Sequence, residues 1–557
     1  MNKNYIRLRN INMIKIKKTD KIKKINTLLL IMLIVLQPIL DTFYLYTDEV
    51  VNLLGFSPAT IIRVLLVGAL FLFAFFTSKW EKKWIALFSY GGVVGIYSLL
   101  HHLHCSKFTE LVPNNVQYSF FMDVFYIVQL ILPLLVIFIT YQSELKNKTF
   151  EKVIFALVII ISGSIVLSNL MRISLGSYNN EVIKGSIIDW FTKGYVNYSY
   201  YDYASKGFFY FANRVSTVLI MLLPINFYCV SKNVSYKTIG ILLLHVVSML
   251  MLGTKVATLG GTIILILMSI VYLFFVFIKK EIKKDWTMIL SFIFIIGLCI
   301  IVIPKSPAIY REIIANNVEK VYGNERIESG ITKTPASSVK NNDNKSDKGM
   351  NEKNELVANN DSNNIDNHIS EEERVKQNKI KYIRENYKNF SINEKFILKS
   401  YSYLEDPDFW LSIFNEPIGN RLNYRYMEIR MVQRAKELNN NSADNWLGIG
   451  YSRVQNIYNI ERDFVLQYYS LGILGVIILL GPIVAIILAC GFYCLIKFKK
   501  YFIMENVSLL AGGGIVMIIS WYSGNSLDSL FVSIILAFLL GKLISNLFYN
   551  KKESNDI

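Results

Sequence analysis

The chain has 557 residues, 53% of them hydrophobic and 14% aromatic, with a mean hydropathy of +0.36; this excludes an ordinary soluble enzyme and indicates a polytopic membrane protein. The formal net charge of +17 would suit a nucleic-acid binder, but the lysines crowd short loops between apolar runs. That is how a membrane protein sets its orientation, so the expected surroundings are a lipid bilayer, with no nucleic acid as partner.

Residues 1–25 are rich in Lys and Arg and show no cleavage pattern before the first apolar run, so a cytoplasmic tail followed by an uncleaved span is expected. About twelve spans follow, near 26–46, 58–77, 84–101, 119–140, 151–171, 213–231, 236–254, 257–278, 286–304, 466–497, 506–523 and 526–547. Each is long enough to cross or tilt through the hydrocarbon. The short loops Ser78–Lys83, Lys146–Lys152, Lys232–Lys237, Lys279–Lys284, Lys497–Lys500 and Lys551–Lys552 are basic and alternate with the others. An even number of spans then places both termini, including the tail 549–557, in the cytoplasm.

The long segments fall on the other face. One is the loop 172–212, rich in Tyr and Phe, within the membrane region 26–304; the other is a large outer loop, 305–463, before the last spans in 464–548. Within it, 334–378 is Asn, Ser, Lys, Asp and Glu with almost no large apolar residue and is expected to be disordered. Residues 380–460 mix Tyr, Ile, Leu and Trp410 with charge and predict a helical cap over the bundle. The fold expected is all-α. No transmembrane repeat and no P-loop is visible.

The five cysteines (Cys105, Cys229, Cys299, Cys490 and Cys494) are odd in number and mostly lie in apolar runs, which implies neither a disulfide framework nor a zinc site. His101, His102 and His104 beside Cys105 read as an interfacial cluster at a helix end. No metal and no cofactor is expected.

Ionisable residues in or beside apolar spans are costly, and so mark candidate sites. Arg63 lies early in span 2, Asp41 toward the end of span 1, Asn213 and Arg214 at the start of span 6, and Lys255 in a tight turn after span 7. Glu461 and Asp463 stand at the foot of span 10. Each alone is explained by snorkelling or by the preference of acidic residues for a helix start; together they predict one outer cavity. Basic groups facing carboxylates there suit an anionic lipid-linked substrate, its phosphates held by Arg or Lys and a hydroxyl deprotonated by a carboxylate.

Several short motifs carry a resemblance. Gly207-Phe208-Phe209-Tyr210-Phe211-Ala212-Asn213, Leu252-Gly253-Thr254-Lys255 with Leu259-Gly260, Gly419-Asn420-Arg421, Leu447-Gly448-Ile449-Gly450-Tyr451, and Glu461-Arg462-Asp463 with Gly472 and Gly475 occur in that order. Together they resemble the bacterial O-antigen ligase and polysaccharide polymerase family, and Gln37-Pro38-Ile39-Leu40-Asp41 is similar to an opening of its Gram-positive branch. Where its best understood ligases carry a His before the final helix, this chain has Glu461 or Arg462.

The resemblance implies a GT-C-like, metal-independent inverting glycosyltransferase of the bacterial cell membrane. Its donor would be an undecaprenyl-diphosphate-linked glycan and its acceptor a polysaccharide or cell-wall hydroxyl. Arg421, Lys255, Arg63 and, less directly, Arg214 would contact the diphosphate, and Glu461 or Asp463 would be the base. Asn213 and Asp41 would be polar lining. The alternative is a lipid-linked oligosaccharide flippase, whose charges should sit near the midplane on broken, repeated helices. Here they gather toward one face.

Overall fold

The computed structural model describes residues 24–46, 57–77, 82–108, 117–143, 145–314, 371–458, 460–524 and 526–548. The expected tails lie outside these residues, except that 24 and 25 begin the first helix. So does most of the stretch expected to be disordered, but its last residues, 371–378, are helical. Their Glu-rich start suits a helix N-terminus.

The described residues are helical, with only isolated bridges between extended segments. In chain order the elements used below are α1 (24–36), α2 (Pro58–Thr77), α3 (Lys82–Cys105), α4 (Phe120–Gln142), α5 (Asn147–Leu170), α6 (Ala212–Lys232), α7 (Tyr236–Leu252), α8 (Val256–Ile278), α9 (Trp286–Val302) and α10 (307–314). The cap follows with α11 (Glu371–Asn386), α12 (Pro407–Phe414), α13 (Tyr424–Asn439) and α14 (Tyr451–Ile457). The chain then returns through α15 (Asp463–Gly475), α16 (Gly481–Ile496), α17 (Met504–Tyr522) and α18 (Leu530–Phe548). Among the described residues, eleven helices are long and apolar enough to cross a membrane, and α7, a shorter apolar helix, fills the remaining predicted place. Apolar runs of this length adopt helices because each backbone amide is satisfied within the segment.

The bundle is centred on α6 and α18, whose span windows are 94% and 83% buried, whereas those of α2 and α3 are 28% and 22% buried. Leu65, Phe76, Ile96 and Phe121 point outward from the periphery, the surface that lipid tails cover. The cap has a core of its own, with Ile383, Trp410, Met427, Met431 and Val454 buried together. Asp406 caps α12 through the Phe409 N–H (3.1 Å) and also pairs with Arg434 (2.8 Å).

One apolar run hides a break. Asp463–Ile496 reads as a single long span, but Gly472 has φ 69° and interrupts the helix. The strap 446–450 crosses there: a Cβ on Gly472 would lie 2.4 Å from the carbonyl carbon of Trp446, and one on Gly448 would lie 2.3 Å from the Ser470 oxygen. The freed carbonyls accept from the strap, Tyr469 O from Ile449 N–H (2.9 Å) and Ser470 O from Gly450 N–H (3.1 Å). The strap is thereby fastened to the bundle at the break in α15.

Candidate functional site

A cleft of about 670 Å³ opens where the cap meets the bundle. Its walls come from the 172–212 loop, the start of α6, the turn into α8, α10, the start of α13, Glu461, and the end of α17. Asn213, Lys255, Arg311, Glu312, Arg425 and Glu461 are its polar lining that matters chemically.

The turn bearing Lys255 is pinned from the loop side. Ser177 Oγ donates to Leu252 O and the Tyr178 hydroxyl to Gly253 O, both at 2.7 Å. Lys255 pairs with Glu312. Beside it, the Arg311 guanidinium lies 4.6 Å from the centre of the Tyr178 ring, a cation–π contact.

Arg425 stands in the first turn of α13, which Asn423 caps through the Tyr426 N–H (3.3 Å). A cation there opposes the helix dipole, and local acceptors compensate. Its Nε and Nη2 both donate to Glu461 Oε2, at 2.9 and 2.8 Å. Nη1 also reaches Tyr522 O at 3.2 Å and Nη2 reaches Ser523 O at 3.3 Å.

Glu461 and Asp463 are only two residues apart, yet they have separate surroundings. The Glu461 side chain is 40% exposed in the cleft. Asp463 is buried and accepts from Ser526 N–H (2.9 Å) and Leu527 N–H (3.0 Å), so it holds the turn into α18. In that turn Gly524 has φ +75°, and a Cβ there would collide with the Glu461 carbonyl. Replacing Asp463 with alanine orphans two buried amides and is expected to cost about 3 kcal/mol of stability. A thermal-unfolding midpoint unchanged from wild type would contradict this structural role.

Glu428, one turn after Arg425, is buried, and its Oε2 lies 3.4 Å from the Glu461 N–H. Burial, and then the neighbouring Glu461, push its carboxyl from 4.5 up to about 8. The folded state therefore favours the protonated acid. Stability is undiminished by this group below pH 4.5, falls as pH rises through 4.5 to 8, and levels off above. Glu428→Gln should flatten that fall in melting curves taken across the window, and an equal slope in both proteins would contradict it.

The other basic residues expected at a diphosphate lie elsewhere. Arg421 belongs to the cap interior, where Nη1 donates to Phe390 O (2.9 Å) and the guanidinium lies 5.5 Å from the Phe390 ring centre. Arg63 is buried, with Nε on Gln37 Oε1 (2.8 Å) and Nη1 on the Tyr46 hydroxyl (2.7 Å), and so fastens α2 to the end of span 1. Arg214 lies 3.9 Å from buried Asp41 and near the rings of Tyr210 and Phe211, at 5.3 and 4.9 Å. Asp41 and Arg214 are thus part of the packing beside the cleft. None of these four residues lines it.

The residues that the sequence reading missed are Arg425, Arg311 and Glu312. A signal existed for Arg425: an Asn cap followed by a basic residue in a first turn. Arg311 lies beyond the hydropathic end of span 9 and had none.

The histidine cluster forms a clasp. His101 Nδ1 donates to Leu447 O (2.6 Å) and Nε2 meets Asp123 Oδ2 (3.0 Å). Asp123 also accepts from the Tyr451 and Ser452 N–H groups (2.9 Å each) and from Ser452 Oγ (2.8 Å). His101, Cys105 and Asp123 are close enough to share a cation, but the Asp123 carboxylate is already engaged by His101 and by the first residues of α14. His104 pairs with Asp444 at 2.8 Å in the same region.

The sequence matches none of the curated proteins it was compared with. Residues 23–550, nearly the whole chain, match the family model described as O-antigen ligase like membrane protein, so this protein belongs to that family and has its membrane glycosyl-transfer role.

Proposed function

We propose that the protein transfers an undecaprenyl-diphosphate-linked glycan to an acceptor hydroxyl on the outer face of the cell membrane, as a ligase or polymerase of cell-surface polysaccharide. One observation carries this reading: Lys255, Arg311 and Arg425 line the same cleft as the accessible carboxylate of Glu461, at the cap end of an apolar bundle. In the reaction the acceptor oxygen attacks the anomeric carbon opposite the diphosphate. A new C–O bond forms as the bond to the phosphate oxygen breaks, so the centre inverts. The electron pair leaves on the diphosphate, whose growing charge the three cations stabilise without a metal ion, and the acceptor proton passes to Glu461.

The sidedness is testable because all five cysteines are buried. A cysteine introduced at exposed Lys381 in the cap reports which side of a proteoliposome the cap occupies through an impermeant thiol reagent. An impermeant acceptor should be glycosylated only on that side. Product formed from the opposite side would overturn the outer-face assignment.

A further inference from the structure

Both cations of the cleft that form ion pairs do so with carboxylates that are themselves cleft residues. Lys255 carries Glu312, and Arg425 carries Glu461. The four side chains are 46%, 43%, 35% and 40% exposed, respectively, so both pairs are open to solvent. Exposed pairs of this kind are weak, and phosphate competes well for a guanidinium because it offers two oxygens to the fork.

The two partners of the Arg425–Glu461 pair differ in how they are held. Arg425 remains anchored by the carbonyls of Tyr522 and Ser523 when the carboxylate leaves. The main chain of Glu461 is fixed, its N–H on Glu428 and its carbonyl against Gly524. Only the Glu461 side chain is free to turn. Displacement thus leaves a cation in place for the ligand and releases a carboxylate into the cleft.

We propose that Glu312 and Glu461 are resident counter-anions of the cleft cations, displaced by the two phosphates of the donor, and that this displacement frees Glu461 to accept the acceptor's proton. The inference rests on the reading of the cleft as a lipid-diphosphate site. It makes the order of binding compulsory: donor first, acceptor second. Before the donor arrives, the base is tied to Arg425 and the phosphate positions are neutralised, so an acceptor alone finds no activated site. Glu312 acts as a specificity-determining residue in this scheme, because an anion must compete with it to reach Lys255.

The test is binding of farnesyl diphosphate to the full-length protein in detergent micelles. Glu312→Gln and Glu461→Gln keep side-chain size and remove the competing charge, so each should tighten binding by about two- to fivefold. In an Arg425→Gln background, the Glu461→Gln gain should vanish, because the contact it relieves is gone. A Glu461→Gln gain that persists in that background would mean a general field effect and would overturn the proposal. Amide variants that bind no tighter than wild type would also overturn it, while leaving the diphosphate site intact. Wild-type protein that fails to bind farnesyl diphosphate would instead overturn the reading of the cleft itself.

Discussion

Glu461→Gln should lower turnover by about 10²- to 10⁴-fold while the donor remains bound. The amide keeps the shape of the side chain and its reach into the cleft but cannot accept the proton of the attacking hydroxyl. Because the loss falls on the chemical step, it should appear in kcat, while the donor KM does not rise. Asp463→Asn offers the contrast, since that carboxylate faces the amides of Ser526 and Leu527. Its loss should appear first in stability. A kcat defect in Asp463→Asn with an unchanged melting curve, and none in Glu461→Gln, would reverse the two assignments.

Arg425→Met should lower turnover by about 10²-fold or more. In the proposed reaction the guanidinium faces a leaving group whose charge grows as the glycosidic bond breaks, so the interaction it supplies is stronger in the transition state than in the bound donor. Arg425→Lys should recover part of the rate, because it restores charge without the planar fork. Arg421→Met is the matched control from the same stretch of sequence. With Nη1 on Phe390 O, its effect should be on cap stability, measured by melting, and equal kcat losses in both methionine variants would contradict the distinction.

The membrane architecture was legible because it rests on the length of apolar runs, which physical chemistry ties directly to spans. The helix break at Gly472 was not, since the run around it is uniformly apolar and the crossing strap is distant in sequence. The site was legible only in part. Lys255, Asn213 and Glu461 line the cleft and were legible as candidates because each stands at the end of an apolar run. Arg421 and Arg425 are four residues apart but stand on different helices, because the chain is extended at Asn423 between Ile418–Leu422 and α13, and which of them faces the cleft depends on that break. Likewise Glu461 and Asp463 diverge because α15 begins between them, turning one toward solvent and the other toward the α17–α18 turn. Arg63 and Asp41 are intramembrane ionisable groups of the kind that usually mark function. Arg63 is instead consumed by Gln37 and Tyr46.

The most direct measurement is release of lipid diphosphate by purified protein in liposomes supplied with a lipid-diphosphate glycan and a candidate acceptor, without ATP or added metal. Acceptor-dependent release, with a new glycosidic bond of inverted anomeric configuration, is the expected result. Movement of the intact lipid-linked glycan between leaflets, with no glycosidic bond formed to any acceptor, would contradict glycosyl transfer and make the protein a flippase.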